Sequence, residues 1–443
     1  MLKSVRKRLL SRGVAIGTIG AVLALILVAA LVPQRGITAS DTLMKWRQSH
    51  KGFLPLVDLA GLDHLYSTPY FIALVSLALL ILVLSTLGQG ERAFTRTFRS
   101  PPPEDAGIEV PAGEVERVLA RHGYRRIGKG GTLRFVSQPW GYWGNFLLHL
   151  GITVTVAASL VIALTYQRST LTLYEGVFHN PGDGWEEEEH GLLAHPLAFP
   201  YSVRLERLRG EFSRTGIVTR MTSELRLRDA GGRDSMHEVE LNAIFEHHGV
   251  RIYQSVSFGD LFIVEFTGPD GTSRTELLQL YLPEDLEASS YRDFTLPWLP
   301  QVLSSRYQAD VDKQSMTSPN RLLVLRLMDN GRQFARLALL PGEEGMLGSY
   351  RVKLIGVGKW SNLAFVRIAG MPWVFFGFFV IVAGVILQYV TPPREIGAKP
   401  TGAGWIIRWR ATRFAEFYAE EYTAIIKELK GESSTSHLTE DFR

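Results

Sequence analysis

The sequence predicts a membrane protein with four transmembrane α-helices and a large β-rich extracytoplasmic domain between helices 3 and 4. Four apolar blocks contain no Asp, Glu, Lys or Arg, and each is close to the ~20 residues with which a helix crosses a ~30 Å hydrocarbon core. About two hundred residues separate the third block from the fourth. Within that interval, short stretches of alternating polar and apolar residues recur between turn signals, a pattern typical of half-buried strands.

The apolar blocks divide the chain into six regions. The four predicted spans are Gly13 to Val32, Tyr70 to Leu87, Phe146 to Leu164 and Trp373 to Val390. The predicted regions are an N-terminal region holding spans one and two (1–90), a cytoplasmic loop or subdomain (91–141), span three (142–166), the extracytoplasmic β-rich domain (167–370), span four (371–391) and a cytoplasmic tail (392–443).

Lysine and arginine residues beside the spans predict the orientation, because short cytoplasmic segments keep an excess of positive charge. They precede span one (Lys3, Arg6, Lys7, Arg8, Arg12), crowd the segment between spans two and three (Arg92, Arg96, Arg99, Arg117, Arg121, Arg125, Arg126, Lys129, Arg134) and follow span four (Arg394, Lys399, Arg408, Arg410, Arg413). Both termini are therefore expected inside. The net charge of +4 reflects this topology, so nucleic-acid binding is not predicted. No Ser/Arg-rich transit peptide is evident, which favours a bacterial inner membrane.

The chain contains no cysteine. An outward domain in an oxidising compartment must then be held together by burial and strand pairing rather than by disulfides. The chain also cannot exchange thiols, form a thioether to a cofactor or supply a thiolate metal ligand.

The outward region is expected to fold as an antiparallel sandwich or a barrel-like domain. The predicted strands are Ser223 to Arg228, Glu238 to Leu241, Leu261 to Phe266, Arg321 to Leu327, Phe334 to Leu339 and Tyr350 to Val357. Asp329-Asn330-Gly331 is the clearest hairpin signal. The stretch from Pro283 to Asp312, with its aromatic residues and further prolines, is expected to be an irregular insertion.

Smaller elements are expected on the cytoplasmic side. Gly113 to His122 has helical spacing, and Arg134-Phe135-Val136 is typical of a short strand. After span four, apolar and aromatic residues form one helical stripe opposite charged residues: Phe414, Phe417, Tyr418, Tyr422, Ile425, Ile426 and Leu429 against Glu416, Glu420 and Lys427. This amphipathic helix is expected to pack on the cytoplasmic subdomain or the membrane surface, with recruitment of a partner as the alternative.

Motifs of soluble enzymes are absent: there is no phosphate loop, nucleophile elbow, His-Glu-x-x-His or dinucleotide fingerprint. No catalytic residue is predicted. Eleven histidines remain as candidates. His247-His248 lies between strands, and His179, His190 and His195 surround the acidic run from Glu186 to Glu189. Metal binding by these five is an open alternative, but none has the usual ligand spacing, so a solvated or structural role is favoured.

His149 differs because it lies inside the third apolar span. Ionisable residues within a span are rare and mark functional sites by default. At 1.5 Å per residue from Tyr142, His149 lies roughly 10 Å into the bilayer from the cytoplasmic side. A neutral imidazole there can ligate an iron or form a hydrogen bond to a neighbouring helix.

Three short segments together carry a family resemblance. These are Gly61-Leu62-Asp63-His64-Leu65-Tyr66-Ser67-Thr68-Pro69-Tyr70-Phe71 at span two, His149-Leu150-Gly151 in span three, and Gly249-Val250-Arg251-Ile252-Tyr253-Gln254-Ser255 in the β-rich region. They resemble the ResB (CcsB) family of cytochrome c synthesis proteins. They occur in the family's order and on the matching topological elements. The order of spans and the long outward region are similar as well.

This resemblance implies a subunit of the system II machinery, which pairs with a ResC/CcsA-type membrane protein. Together they carry haem across the membrane and present it for covalent attachment to apocytochrome c. The resemblance makes His149 the candidate axial ligand, so any metal is held only through haem iron, and haem b is transported substrate rather than permanent cofactor. The tryptophan-rich haem-handling segment is absent, which assigns thioether formation to the partner. A separate thioredoxin-like thiol reductase would reduce the apocytochrome.

Two other functions remain as alternatives. The first is a membrane-anchored β-domain scaffold that binds a protein or an envelope ligand without haem. In that case His149 only packs between helices. The second is a transporter of another solute, which is disfavoured because four spans with so few buried polar groups provide little from which to build a path.

Overall fold

The computed structural model describes residues 2–35, 38, 40–99, 101–103, 107–127, 133–241, 243–329 and 331–432. The helices formed by these residues are α1 (Leu2–Leu9), α2 (Arg12–Leu31), α3 (Ser40–Ser49), α4 (Leu54–Ala60), α5 (Pro69–Phe98), α6 (Val115–Arg121), α7 (Gly144–Thr165), α8 (Met371–Tyr389) and α9 (Ala419–Leu429). Short 3-10 turns occupy Leu62–Ser67, Pro139–Trp143 and Ala415–Tyr418.

The strands pair in antiparallel ladders. The first ten are β1 (Ile108–Pro111), β2 (Arg125–Arg126), β3 (Leu133–Ser137), β4 (Gln167–Tyr174), β5 (Phe178–His179), β6 (Glu187–His190), β7 (Ser202–Phe212), β8 (Val218–Arg228), β9 (Asp234–Glu240) and β10 (Phe245–His247). The others are β11 (Val250–Thr267), β12 (Ser273–Tyr281), β13 (Ser290–Phe294), β14 (Val302–Gln308), β15 (Leu322–Asp329), β16 (Arg332–Leu339), β17 (Glu344–Leu347), β18 (Tyr350–Arg367), β19 (Arg394–Pro400) and β20 (Gly404–Ala411).

Four helices of the described chain are long and apolar enough to cross a membrane. They comprise α2, α5, the segment Pro139–Thr165 that includes α7, and α8. Each of the four predicted spans coincides with one of these helices. Helix α5 continues eleven residues past Leu87, the predicted end of span two, to Phe98. Pro69 opens α5 at a position where a missing backbone N–H costs nothing, because the first N–H groups of a helix have no internal partner.

The chain divides into two compact units, and the first contains the four long helices and a small sheet. The strand order in this sheet is β1-β20-β19-β3-β2. Helices α6 and α9 cover it and enclose one apolar core, formed by Val110, Val115, Leu119, Tyr124, Phe135, Ile396, Ala398, Ile407, Ile425 and Ile426. Strand β3, helix α6 and the helical stripe of α9 were predicted from the sequence, but β19 and β20, which supply the middle of the sheet, were not.

Among the described residues, the second unit contains the other fifteen strands together with α3 and α4. Its two 18-residue strands, β11 and β18, pair along most of their length. At one end they join β4, β6 and β10 and pack against the sheet β5-β7-β8-β9 around one core. At the other end they join β12 and β17 and pack against the sheet β13-β14-β15-β16 around a second core. The unit is therefore a pair of β-sandwiches that share two long strands.

Two sequence-based expectations concern particular segments of this unit. The stretch from Pro283 to Asp312 was expected to be irregular, but it contains β13 and β14, which pair with each other over five residues. Asn330 of the predicted Asp329-Asn330-Gly331 turn lies outside the described residues, while β15 and β16 pair on either side of it.

Candidate functional site

His149 lies in the second turn of α7 and is half-buried. Its Nδ1 atom is 3.0 Å from the backbone oxygen of Asn145, one turn earlier. Because a carbonyl oxygen can only accept, Nδ1 is the donor, and in the neutral imidazole Nε2 then keeps its lone pair. No residue in the described ranges forms a hydrogen bond to Nε2. This tautomer can donate an electron pair to a metal through Nε2 while Nδ1 keeps the ring oriented.

Helix α5 contacts α7 beside His149. The hydroxyl of Thr153 lies 2.7 Å from the backbone oxygen of His149 and 2.8 Å from the hydroxyl of Thr86 on α5. About one turn further along α5, a Cβ added to Gly90 would lie 3.1 Å from the ring of Phe146. The two contacts show that α5 and α7 run antiparallel, with Gly90 level with the start of α7 and Thr86 further along it.

Helix α8 contacts another face of α7 through glycines. A Cβ on Gly151 would lie 2.6 Å from the backbone nitrogen of Ile381 and 2.7 Å from the backbone oxygen of Gly377. A Cβ on Gly384 would lie 2.5 Å from the backbone nitrogen of Leu148. Backbones this close tolerate no side chain, which is the usual reason for small residues at helix contacts in membranes. The position of His149 is therefore fixed by packing on two sides of α7.

A buried polar network includes Tyr142, in the 3-10 turn Pro139–Trp143 that directly precedes α7. Arg134 on β3 donates to Glu395 on β19 over 3.2 Å, and Tyr142 also donates to Glu395. The same guanidinium donates to the backbone oxygens of Thr97 and Arg96 at the end of α5, over 3.2 and 2.6 Å. Arg134 thereby satisfies carbonyls that the end of a helix leaves without partners. The network ties α5, the start of span three and the small sheet to one another.

Glu395 remains charged in this network. Burial raises the pKa of its carboxyl, but hydrogen bonds from Tyr142 and Arg134 and the positive charges of Arg134 and Arg410 outweigh burial and lower the pKa below its ordinary value. Tyr142 precedes His149 by seven residues, about two helical turns, so the network lies close to the candidate ligand along the chain. In the sequence Arg134 was visible only as a topology signal, and Glu395 had no predicted role.

The side chains at this site fit a metal ion that already carries most of its own ligands, rather than a bare metal ion. Within the described residues, no group of three or more His, Asp or Glu side chains is arranged to hold a bare metal ion. His149 supplies one imidazole. A haem iron already has four porphyrin nitrogens and takes its remaining ligands from axial side chains, so one imidazole from this chain fits it.

The predicted pair His247-His248 acquires a third histidine from a neighbouring strand. The ring centroids of His237 and His247 are 5.5 Å apart, and those of His247 and His248 are 4.6 Å apart. Tyr201 stacks on His248 at 5.7 Å. Burial lowers the pKa of His237; at His247 burial and the two neighbouring imidazoles lower it. His237 was not among the predicted candidates, because it lies on β9 and His247 lies on β10, and only the packing of their two sheets brings the rings together.

The other predicted histidines are not brought together. His179 lies 6.3 Å from the ring of Trp185, between ring centroids. His190 ends β6, whose partner strand is β4. His195 lies in an exposed loop, where its backbone oxygen accepts from the side chain of Gln167.

The Gly61-to-Phe71 motif contains a fully buried carboxylate, Asp63. It accepts hydrogen bonds from Arg35 over 2.8 Å, from Arg47 over 3.1 Å and from Nδ1 of His64 over 2.8 Å. Burial raises the pKa of Asp63, but the bonds from His64 and Arg35 give a net lowering. This residue anchors the segments before and after α3 and α4.

The Gly249-to-Ser255 motif has a structural role that the sequence did not reveal. Gln254 donates to Ser361 over 2.7 Å and accepts from Ser223, so the amide joins β11 to β18 and to the facing β8. All three side chains are buried. The register between β11 and β18 shifts directly after Gln254, before Phe258, and the polar trio satisfies groups at that irregularity.

Comparison with known proteins identifies relatives over most of the chain. The profile of the ResB-like family matches residues 14–293. The chain is 24% identical over 391 residues to the cytochrome c biogenesis protein CcsB of Thermosynechococcus vestitus, covering 85% of this chain and 84% of that protein. It is 23% identical over 408 residues to the protein of the same name from a Synechococcus species, covering 85% and 81%.

A solved structure, that of the cytochrome c haem lyase CcmF, also matches weakly. The TM-score is 0.24 at 12% identity, over 76% of this chain and 42% of that one.

Proposed function

This chain belongs to the ResB-like family, and from that membership we propose that it acts in cytochrome c maturation as a subunit of the system II machinery. It helps to carry haem across the membrane and presents it for covalent attachment to apocytochrome c. The relatives named CcsB align with 85% of this chain rather than with one domain, which supports the transfer of that role.

His149 is the axial haem ligand that this chain contributes. The observation that carries this assignment is the hydrogen bond from Nδ1 to the carbonyl of Asn145, which leaves the Nε2 lone pair for iron. A second axial ligand comes from a ResC/CcsA-type partner, so that the iron is held between two subunits. Haem b is cargo at this site.

The protein lies in a bacterial inner membrane with both termini in the cytoplasm and residues 167–370 outside. The arginines and lysines beside the spans support this orientation. In this orientation His149 lies in the inner half of the bilayer, where cytoplasmic haem enters. The paired β-sandwiches then meet apocytochrome c outside.

The chain depends on other proteins for the thiol chemistry. It has no cysteine, so the thiols of apocytochrome c are reduced by a separate thioredoxin-like protein. Thioether formation takes place on the ResC/CcsA-type partner.

The proposal is tested by the visible absorption spectrum of the protein purified in mild detergent with its co-expressed partner. Wild type is compared with His149→Ala, and His195→Ala serves as the control because His195 is exposed in a loop. We expect sharp α and β bands on reduction in wild type and in the control, and their loss or weakening in His149→Ala. Cytochrome c maturation in cells should fall in parallel.

The alternative is a haem-free scaffold whose β-sandwiches bind a protein or an envelope ligand. It predicts no haem bands in an intact complex supplied with haem, and unchanged maturation in His149→Ala. That pair of results would replace the haem-carrying function with the scaffold.

A further inference from the structure

The hairpin of β19 and β20 begins and ends beside the last turn of α8. Helix α8 ends at Tyr389, and β19 begins five residues later at Arg394. Arg394 pairs with Ala411, the last residue of β20, so the hairpin closes where it started. At about 3.3 Å per residue, the seven residues of β19 place its far turn, Thr401 to Ala403, roughly 20 Å from Arg394.

Strand β19 runs away from the membrane. A Cβ added to Gly397, midway along the strand, would lie 3.1 Å from Pro102 and from Pro103. These prolines follow Phe98, the end of α5, which extends beyond the apolar part of that helix. The far turn of the hairpin therefore lies farther from the bilayer than its closing end.

The closing end lies at the level where α7 and α8 meet the membrane surface. A Cβ added to Gly144, the first residue of α7, would lie 2.6 Å from the backbone nitrogen of Gln388 near the end of α8. The start of one apolar helix is thus beside the end of the other. Trp140, just before α7, and Tyr389 are both exposed at this level, as is typical of the aromatic residues at a membrane–water interface.

Two phenylalanines after the hairpin continue this aromatic group. The ring centroids of Tyr389 and Phe414 are 6.5 Å apart, and those of Phe414 and Phe417 are 6.1 Å apart. The guanidinium of Arg413 lies 4.8 Å from the ring centroid of Tyr389. Phe414 and Phe417 therefore lie beside the end of α8, although they are 25 and 28 residues later in the chain.

The turn Ala415–Tyr418 is held on the sheet by the residue that follows its phenylalanine. The guanidinium of Arg394 lies 4.4 Å from the ring centroid of Tyr418 and donates to Glu421 over 2.7 Å. Phe417 remains 82% exposed and Phe414 45% exposed. Phe414 also has a φ of 54°, a left-handed conformation that is rare for a bulky residue. A strained backbone that presents apolar rings outward indicates a surface built for contact.

We propose that Phe414 and Phe417 insert into the boundary between headgroups and acyl chains beside the end of α8, and so anchor the small sheet to the bilayer surface. The inference goes beyond the proposed function and does not depend on haem. Lipid is the occupant because the exposed rings continue the aromatic residues at the membrane end of α8. An aromatic side chain gains free energy when it leaves water for this boundary.

The inference divides the helical stripe between two surroundings. Ile425 and Ile426 are buried in the core of the small sheet, whereas the two phenylalanines point out of it. The exposed charges nearby are mixed, with Arg413 against Glu416 and Glu420. Insertion is therefore driven by apolar area rather than by attraction to anionic lipids.

The experiment uses the absence of cysteine, since a single introduced thiol carries the only label. Phe417→Cys is labelled with bimane and compared with Ala403→Cys, an exposed position on the far turn of the hairpin. The full-length protein is reconstituted in phosphatidylcholine liposomes with acyl chains brominated near the headgroup. We expect the bromines to lower the emission of the label at 417 at least about twofold and to leave the label at 403 unchanged. Aqueous iodide should quench the label at 403 and spare the one at 417.

A second pair of variants keeps both rings in place. A label at Glu416→Cys reports on the same turn, and its quenching by the brominated lipid should be lost when Phe414→Ser/Phe417→Ser is added. Both phenylalanines are exposed, so the double substitution should leave the unfolding midpoint unchanged. Replacing part of the phosphatidylcholine by phosphatidylglycerol should not alter the quenching.

Three results would overturn the proposal. If iodide quenches the label at 417 as strongly as the label at 403, the rings lie in water. If quenching by lipid appears only with phosphatidylglycerol, the contact is electrostatic and the rings do not carry it. If the label at 417 is protected from iodide only when a co-expressed membrane partner is present, a protein covers this surface instead of lipid.

Discussion

Arg134 and Glu395 are 261 positions apart in the chain, yet they form a 3.2 Å ion pair in which both side chains are only 4% exposed. The pair joins the strand before span three to the strand after span four. Tyr142 donates a further hydrogen bond to Glu395, and Arg134 donates to a carbonyl at the end of α5. A buried pair is costly to break, because the remaining charge is left without a partner.

Glu395→Ala is therefore expected to destabilise the protein by about 3–5 kcal/mol, the cost of stranding a buried charge. The measurement is the unfolding midpoint of the purified protein in detergent. Glu114→Ala provides the control, since it removes an exposed partner of Arg117 and should cost less than about 1 kcal/mol. Similar losses from both substitutions would contradict the importance assigned to the buried pair.

The same carboxylate predicts an acid-dependent loss of stability. The pKa of Glu395 is lower in the folded state than its ordinary value of 4.5. Its contribution to stability is thus fully present above that value and is lost as the pH falls from there through the folded pKa. We expect the difference in unfolding midpoint between wild type and Glu395→Gln to be constant near neutrality and to shrink in acid. A difference that stays constant down to about pH 3 would rule out this linkage.

Gly151→Ala should separate α7 from α8. Its Cβ would lie 2.6 Å from the backbone of Ile381, so the helices must move apart at a cost of about 1–3 kcal/mol. Gly17→Ala in α2 is the matched control, because a Cβ there meets nothing within 4 Å and alanine is the better helix former. The two variants are compared by thermal unfolding, with haem content as a second readout. Equal stability of the two variants would show that the contact yields easily.

Ser223→Ala removes the hydroxyl that donates to Gln254 and leaves a buried amide oxygen without that bond. We expect a loss of about 1–3 kcal/mol. Hydrogen exchange should increase in β8 and β11, the strands that the network joins. Ser273→Ala, at an exposed hairpin position, is the control and should change neither stability nor exchange. If the hydrogen-exchange protection of β8 is unchanged after Ser223→Ala, the Gly249-to-Ser255 motif does not have the structural role assigned to it.

The four long helices were predictable because composition alone encodes them. An apolar run without charges that is long enough to cross a bilayer is typical of a membrane-spanning helix. Period-two alternation likewise predicted the strands around Ser223 to Arg228 and Phe334 to Leu339, where the residues of one face are more buried than those of the other. These are local signals, and they depend on no partner.

The missed elements depend on partners distant in the sequence. Strand β19, Arg394–Pro400, combines charges and a glycine with a single large apolar residue, Ile396, and it follows a span directly. Its stability comes from β3 and β20 on either side. In the same way, the insertion Pro283 to Asp312 was expected to be irregular because of its prolines, although β14 is paired by β15.

The candidate site was only partly predictable for the same reason. His149 was identified from its position within a span, a property of the sequence alone. The contact between Thr86 and Thr153, which places α5 beside it, is not revealed by any spacing in the sequence. Arg134 and Glu395 were separately visible as charges, but only the fold pairs them.

The five-stranded sheet also imposes an order on biosynthesis. Strands β1, β2 and β3 leave the ribosome before α7, whereas β19 and β20 emerge only after α8. Until then Phe135 and Val136 on β3, buried in the finished protein, have no β19 beside them. Closure of this sheet must wait for the last span and brings together segments with very large sequence separation, which makes it a slow, late step. The sheet can therefore be completed only after every span has been synthesised. A chain truncated before Arg394 would expose this unfinished surface to proteolysis.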